Sequence, residues 1–73
     1  MEAYTDEGAE MIKKAMKSMI QNPDSYVNHN HPLPFGFLEI RKDRLISEIW
    51  FVAQDGDEFL LATINDEGAV SYV

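Results

Sequence analysis

Two closely spaced histidines are the first residues in this sequence that could bind a metal ion. His29 and His31 are separated by a single residue in the segment His29-Asn30-His31. Side chains at alternate positions of an extended chain point the same way, so both imidazoles could reach one ion. A zinc site needs three or four protein ligands, and the sequence places no third ligand beside this pair. We therefore interpret the histidines as solvated loop residues and predict neither a metal site nor a cofactor.

Two acidic turns could supply carboxylate oxygens to calcium. They are the segments Asp55-Gly56-Asp57-Glu58 and Asn65-Asp66-Glu67-Gly68. Neither follows the twelve-residue ligand spacing of an EF-hand loop. Tight hairpins would also hold the two turns at opposite ends of one sheet, so they could not share an ion. Their acids and glycines are typical of turns, and we assign them that role.

Residues suited to nucleophilic or acid-base catalysis are few. The four serines have no assigned base, and the chain has no cysteine. Glu39 and Glu48 are the carboxylates that fall on one strand face, but a carboxylate pair needs a cleft that excludes water. A small sheet with one helix is poorly suited to forming such a cleft. The sequence therefore predicts a protein that is not an enzyme.

The strand-rich segment 35–73 must position these residues. Its alternating apolar pattern and its turn residues predict a four-stranded antiparallel meander. Asp55-Gly56 favours a two-residue type I′ hairpin, and residues 41–44 could close another two-residue turn. Residues 65–68 fit a type I turn followed by a left-handed glycine. The predicted cross-strand pairs are Ile40 with Leu45, Leu38 with Ser47, Phe37 with Glu48, Val52 with Phe59, Phe51 with Leu60, Trp50 with Leu61, Ile49 with Ala62, Ile64 with Val70, and Ala62 with Tyr72.

Residues paired across strands share a face of the sheet, so these registers predict two faces. The predicted core face collects Leu38, Ile40, Leu45, Ile49, Phe51, Leu60, Ala62, Ile64, Val70 and Tyr72. The predicted second face includes Phe35 and has an apolar centre formed by Phe37, Trp50, Phe59 and Leu61. Four large apolar side chains exposed together are unusual on a soluble monomer. We predict that this centre serves protein binding or self-association as a homodimer.

A helix over about residues 5–21 is predicted to cover the core face. Thr5 fits the N-cap position, and an apolar stripe with helical spacing follows it. Asn22-Pro23 ends the helix. Residues 22–34 form a connection with three prolines, which could cross the sheet edge or cover the second face. The sequence thus predicts a single α+β domain over residues 1–73, with one helix on a four-stranded sheet in the order α-β-β-β-β.

Acidic residues dominate both ends of the chain, whose formal net charge is −7. Residues 1–10 hold four acids and no base, and residues 45–73 hold six acids and no base. The four acids at the start are Glu2, Asp6, Glu7 and Glu10. Affinity for nucleic acid or for an anionic membrane comes mainly from neutralised phosphates, so this chain would bind neither directly. It would be attracted to basic proteins, and its composition favours a cytoplasmic location.

The order of helix and strands, with the segments Trp50–Phe59 and Asn65–Gly68, is similar to that of small helix-plus-meander modules such as the PepSY type. In size, acidity and lack of catalytic residues, the whole chain resembles the small acidic inhibitors that bacteriophages encode. Some of these inhibitors are DNA mimics, which occupy the nucleic-acid-binding site of a host or defence protein. The resemblance implies an inhibitor that acts in the host cytoplasm.

The sequence therefore supports two hypotheses for a protein-binding function. In the first, the chain is a DNA mimic whose basic partner is a histone-like nucleoid protein or a nucleic-acid-guided complex. The carboxylates that would contact this partner are Glu7, Glu10, Asp55, Asp57, Glu58, Asp66 and Glu67. In the second, the chain is an immunity-type antitoxin or a structural interaction module, and it binds its partner through the apolar centre of the second face.

Overall fold

One helix precedes a five-stranded antiparallel sheet in this protein. The computed structural model describes residues 5–73, so Glu2 of the predicted acidic helix start lies outside the described residues. Helix α1 spans Asp6–Gln21, and a short 3₁₀ helix spans Pro23–Tyr26. The strands, which lie in chain order across the sheet, are β1 (His31–Leu33), β2 (Gly36–Asp43), β3 (Ile46–Ala53), β4 (Glu58–Ile64) and β5 (Val70–Tyr72). The predicted α+β architecture is confirmed, with one strand more than expected.

Helix α1 begins and ends where the sequence predicted. The Oγ1 of Thr5 accepts a hydrogen bond from the N–H of Gly8 at 3.0 Å, which satisfies a backbone donor of the first turn. At the other end the Asn22 N–H donates to the carbonyl of Ser18 at 3.1 Å, and Pro23 follows. The members of the predicted apolar stripe that become buried are Ala15, Met16 and Met19. This stripe therefore packs on the sheet, as expected.

The connection between helix and sheet supplies the additional strand. The sequence left open whether residues 22–34 cross the sheet edge or cover the second face. Strand β1 within this segment pairs with β2, with His31 opposite Leu38 and Leu33 opposite Gly36. Tyr26 and Leu33 also pack against the hydrophobic core under the helix. The connection therefore extends the sheet at its edge and places Tyr26 and Leu33 on the helix side.

The hairpin between β2 and β3 turns two residues later than predicted. Its turn residues are Arg44, with a φ of 57°, and Leu45. Leu45, predicted for the core face, is therefore a 70% exposed turn residue. The strand pairing is displaced by four residues, so that Leu38 lies opposite Phe51 instead of Ser47. Because this displacement is an even number, each residue of the two strands keeps its predicted face.

The hairpin between β3 and β4 also differs from the prediction. The N–H of Ala53 donates to the carbonyl of Asp57 at 2.8 Å, and the N–H of Gly56 donates to the carbonyl of Ala53 at 3.0 Å. These bonds close a three-residue loop, Gln54-Asp55-Gly56, in which Gly56 takes the left-handed position with a φ of 95°. The predicted loop, two residues at Asp55-Gly56, is therefore one residue too short.

A bulge in β4 compensates for the longer loop. Close to the loop, the strand pairs are displaced by one residue from the predicted register. The register shifts between Ile49 and Trp50, so that Leu61 of β4 has no partner residue on β3. Beyond this point the predicted pairing is recovered. The observed pairs are Phe51 with Phe59, Trp50 with Leu60, and, after the bulge, Ile49 with Ala62.

The hairpin between β4 and β5 has the predicted form. The N–H of Gly68 donates to the carbonyl of Asn65, and the N–H of Asn65 donates to the carbonyl of Ala69, both at 3.0 Å. Gly68 takes the expected left-handed conformation, with a φ of 84°. The pairs confirmed here are Ile64 with Val70 and Ala62 with Tyr72.

The helix and one sheet face enclose the hydrophobic core, and we call this face the covered face. Phe35, predicted for the second face, lies in the loop between β1 and β2 and is buried in this core. Its ring meets the ring of Phe51 edge-on, with the ring centroids 5.8 Å apart. The strand residues buried on the covered face are Leu38, Ile40, Ser47, Ile49, Phe51, Ala53, Ala62 and Ile64.

Candidate protein-binding surface

The sheet face opposite the helix carries no buried residue. Within the described residues, the helix and the 3₁₀ segment both contact the core on the covered side. We call the opposite side the open face. Its cross-strand rows are Pro32, Phe37, Val52 and Glu58; then Glu39, Trp50 and Leu60; then Arg41, Glu48, Thr63 and Ser71; and last Asp43 and Ile46. An uncovered face with this apolar content is a candidate binding surface.

Arg41 lies at the centre of a side-chain network on the open face. Its Nε donates to Oε1 of Glu39 at 2.6 Å. Its two terminal nitrogens lie 3.2 and 3.0 Å from the two carboxylate oxygens of Glu58, the paired geometry that a guanidinium favours. The guanidinium carbon is also 4.5 Å from the centre of the Trp50 ring, a cation–π arrangement. One arginine therefore connects side chains from strands β2, β3 and β4.

The indole of Trp50 is held by contacts at its edge and on its face. Its Nε1–H donates to Oε1 of Glu48 at 3.1 Å, while the guanidinium of Arg41 lies over the ring. The side chain is half-buried although no element within residues 5–73 covers it. A side chain already ordered in the free protein loses less conformational freedom when a partner binds. Trp50 is therefore suited to act as a preorganised anchor.

Two of the four residues predicted for the apolar centre lie on the open face. Phe37 and Trp50 are there, but the displaced register moves Phe59 and Leu61 to the helix side. Phe59 stacks on the buried Phe51, with ring centroids 6.0 Å apart and an angle of 17° between the rings. Leu61 sits at the bulge and packs against the core. Placing Phe59 and Leu61 on the second face is therefore wrong.

Other residues take the vacated positions. Leu60, predicted for the core face, lies opposite Trp50 on the open face, and Val52 and Pro32 extend the apolar surface. Arg41 is the central residue that sequence reasoning missed, because it was assigned to a turn. The signal that could have found it is its spacing from Glu39, since residues two apart in a strand share a face.

Acids outnumber bases on the open face. Among the described residues, the open face holds four acids, Glu39, Asp43, Glu48 and Glu58, and a single base, Arg41, which leaves a formal charge of −3 on this side of the sheet. Hydrogen bonds to Glu58 and then to Glu39 raise the pKa of the Arg41 guanidinium above its ordinary value, although partial burial opposes this. Arg41 therefore stays charged in any physiological buffer, and the face keeps its acidic excess.

The acidic turns lie at opposite ends of the sheet and have different surroundings. Asp55 and Asp57 are exposed, and a carboxylate oxygen of Asp55 accepts a hydrogen bond from the N–H of Asp57 at 3.1 Å. The loop that holds them contains no base. At the other end, Asp66 lines a cleft of about 310 Å³ together with Lys42 and Arg44. Bases therefore lie near predicted carboxylates at both ends: Lys42 and Arg44 near Asp66, and Arg41 at Glu58.

The remaining predicted carboxylates lie on the exposed side of the molecule. Glu67 is exposed beside Asp66, and its N–H donates to the side chain of Asn65 at 3.0 Å. Glu7 and Glu10 are exposed on α1, and the Nζ of Lys13 lies 4.0 Å from Oε1 of Glu10. These helix acids and the two turns form separate groups on the surface.

The histidines show no arrangement that would bind a metal. His29 is exposed, whereas His31 stacks on Tyr26 with ring centroids 6.1 Å apart. Among residues 5–73, no group of three His, Cys, Asp or Glu side chains is placed to hold an ion. Glu39 and Glu48, the other carboxylates considered for chemistry, are engaged separately by Arg41 and Trp50.

Comparison with known proteins identifies no relative for this arrangement. In the part of the chain that the structure describes, no helix is both long and apolar enough to cross a membrane. No protein-family model matches the chain, and no curated sequence or solved structure is significantly similar to it.

Proposed function

We propose that the chain is a non-enzymatic, protein-binding inhibitor that contacts its partner through the open face. The observation that carries this proposal is the composition of that face. Stable interfaces combine an apolar centre with a polar rim. Phe37, Trp50, Val52 and Leu60 provide the centre, and the charged residues beside them provide the rim.

The charge of the open face indicates the chemistry of the partner. The face has an excess of three carboxylates, and the whole chain has a net charge of −7. A basic partner would be attracted at long range and would associate faster, whereas an acidic one would be repelled. We therefore infer that the partner is a basic protein with an exposed apolar patch.

Self-association through the same face is the competing proposal. In a face-to-face homodimer, the glutamates of one protomer would approach those of its partner. Salt screens such repulsion, so this dimer should become stronger as ionic strength rises. A complex with a basic protein should become weaker under the same change. The sign of the salt dependence therefore distinguishes the two uses of the open face.

The test is capture of the partner from a bacterial lysate with matched variants. Trp50→Ala combined with Phe37→Ser removes apolar anchors from the open face. Leu45→Ser is the control, because it removes an exposed apolar side chain from a turn at the end of the sheet. We expect wild type and control to retain the partner and the double variant to lose it by at least about tenfold in affinity.

If the double variant binds its partner as well as wild type does, the open face is not the contact surface. Sedimentation of wild type beside Trp50→Ala tests the homodimer in the same preparation. If wild type stays monomeric at high micromolar concentration and high salt, self-association through the open face is excluded.

A DNA mimic is a second candidate, favoured by the exposed carboxylates of Asp55, Asp57 and Glu58. Asp55 and Asp57 lie in a loop without bases at one end of the sheet, and Glu58 follows them on the open face, where it is paired with Arg41. A row of exposed carboxylates can replace phosphates on a basic nucleic-acid-binding surface. In this version the inhibitor and DNA would compete for one site on the partner.

Competition with DNA and local charge removal test the mimic. Asp55→Ser with Asp57→Asn removes two charges and keeps side chains that can support a turn. Asp66→Ser with Glu67→Gln is the control at the opposite, base-flanked end. We expect the first pair to weaken binding more than the second. A captured partner that still binds DNA within the complex would contradict mimicry.

A further inference from the structure

A groove of about 750 Å³ lies between the second half of α1 and the sheet edge formed by β4 and β5. Met16 and Ile20 of the helix line one side, and Leu61 and Tyr72 line the other. This volume falls within the range of small-molecule sites in proteins, about 300–1,000 Å³. The groove lies between the helix and the covered side of the sheet, and Leu60, whose register position is on the open face, also lines it. The helix residues that line the groove belong to no part of the open face, so its use does not rest on the function proposed above.

The helix leaves this part of the covered face accessible. Tyr72 lies opposite the fully buried Ala62 and therefore belongs to the covered face, yet it is 70% exposed. Leu61 packs against the core but is only half-buried. Apolar surface is thus left uncovered beside a helix that buries the rest of this face.

Two lysines set the charge of the groove. Lys13 and Lys17, one helical turn apart, both line it, and no acidic residue of the described part of the chain does. Lys13 has a distant ion pair with Glu10 at 4.0 Å, and both side chains are largely exposed. Within residues 5–73, Lys17 takes part in no ion pair. In a chain of net charge −7, this groove therefore combines apolar lining with a local positive charge.

We propose that the groove binds a single-chain alkyl carboxylate. The alkyl chain would lie along Met16, Ile20 and Leu61, and the carboxylate would pair with Lys13 and Lys17. The lining extends from Lys13 to Ile20, roughly 10 Å along the helix at 1.5 Å per residue, which suits an elongated ligand. Lysine suits such a site because its methylene stem packs on apolar surface while its ammonium reaches the ligand's charge.

Isothermal titration of the full chain with dodecanoate, kept below its micelle concentration, tests this proposal. Dodecyltrimethylammonium has the same chain with the opposite charge and is the matched probe. We expect saturable one-to-one binding of dodecanoate and binding of the cation at least about tenfold weaker. Equal binding of both probes would mean that the lysines do not select the ligand and would overturn the proposal.

Charge reversal on the helix locates the site. Lys13→Glu with Lys17→Glu should weaken dodecanoate binding about tenfold or more. Lys14→Glu is the control, because Lys14 is exposed on the same helix but does not line the groove. These exposed substitutions are not expected to unfold the chain, which thermal unfolding checks. An equal loss in the control, or no saturable binding by wild type, would overturn the proposal.

Discussion

The two faces of one sheet differ in what holds their side chains in place. On the covered face, Leu38 and Ile49 are fully enclosed by apolar neighbours. On the open face, the alternate residues Glu39, Arg41 and Trp50 are only half-buried and are held by hydrogen bonds, ion pairs and a cation–π contact. The same strands therefore present a core on one side and a polar network around an aromatic ring on the other.

Because of this difference, the face that stabilises the fold is not the face that is available to a partner. Full burial of a large aliphatic side chain contributes about 1.5–3 kcal/mol, whereas an exposed ion pair contributes about 1 kcal/mol or less. Most of the folding free energy should therefore come from the covered face. Substitutions on the open face that adapt it to a different partner should therefore lower the folding free energy only slightly.

A matched pair of leucine substitutions tests this comparison and should give its largest effect. Leu38→Ala on the covered face should lower the free energy of unfolding by about 3 kcal/mol, because it leaves a cavity in a closed core. Leu60→Ala on the open face should lower it by about 1 kcal/mol or less. Urea unfolding of both variants measures the difference. Equal losses would mean that another molecule covers the open face in solution.

A glycine substitution gives the next largest effect. At Gly36, an added Cβ would lie 2.2 Å from the carbonyl oxygen of Val52 in the neighbouring strand. Gly36→Ala should therefore force the two strands apart and cost about 2 kcal/mol or more. Gly56→Ala is the control, since Gly56 has a positive φ but open space around it, and should cost about 1 kcal/mol. Thermal unfolding that ranks the two variants in the opposite order would contradict this packing.

Arg41→Met should have the smallest effect on stability and a clear effect on Trp50. The substitution removes the guanidinium that lies over the Trp50 ring and leaves Glu39 and Glu58 without their shared base. Because Trp50 is the chain's one tryptophan, its fluorescence reports directly on this change. We expect an altered emission maximum with only a small shift of the unfolding midpoint. Arg41→Lys keeps the charge but loses the planar guanidinium that pairs with a carboxylate through two nitrogens. An emission maximum identical to that of wild type in both variants would contradict the network.

Much of the fold could be predicted because its signals are local and repeated. The cap at Thr5, the apolar stripe of α1 and the turn at residues 65–68 each depend on a few neighbouring residues. Strand β1 was missed because Pro32 and Pro34 argue against a strand. A proline is acceptable in an edge strand, where its missing N–H would not be needed by a neighbour, and β1 is such a strand.

The composition of the candidate surface was harder to predict, because it depends on single-residue register choices. Asp55-Gly56 is compatible with a two-residue or a three-residue loop, and the choice decides on which side Phe59 and Leu60 lie. The later turn at Arg44 and Leu45 likewise placed Arg41 inside a strand instead of a turn. The face on which Phe37 and Trp50 lie was predicted correctly, because alternation along their own strands was unaffected by either change.

Because of the bulge at Leu61, the length of the preceding loop determines on which side of the sheet the neighbouring side chains of β4 lie. Both possible loops lead to the same pairing of Ile49 with Ala62, so the choice between them alters only the intervening residues. A loop sequence that strongly favoured a two-residue turn would remove the bulge and exchange the sides on which Phe59 and Leu60 are presented. A few changes in an exposed turn could therefore alter which side chains the open face presents, while the fully buried pair Ile49 and Ala62 stayed in place.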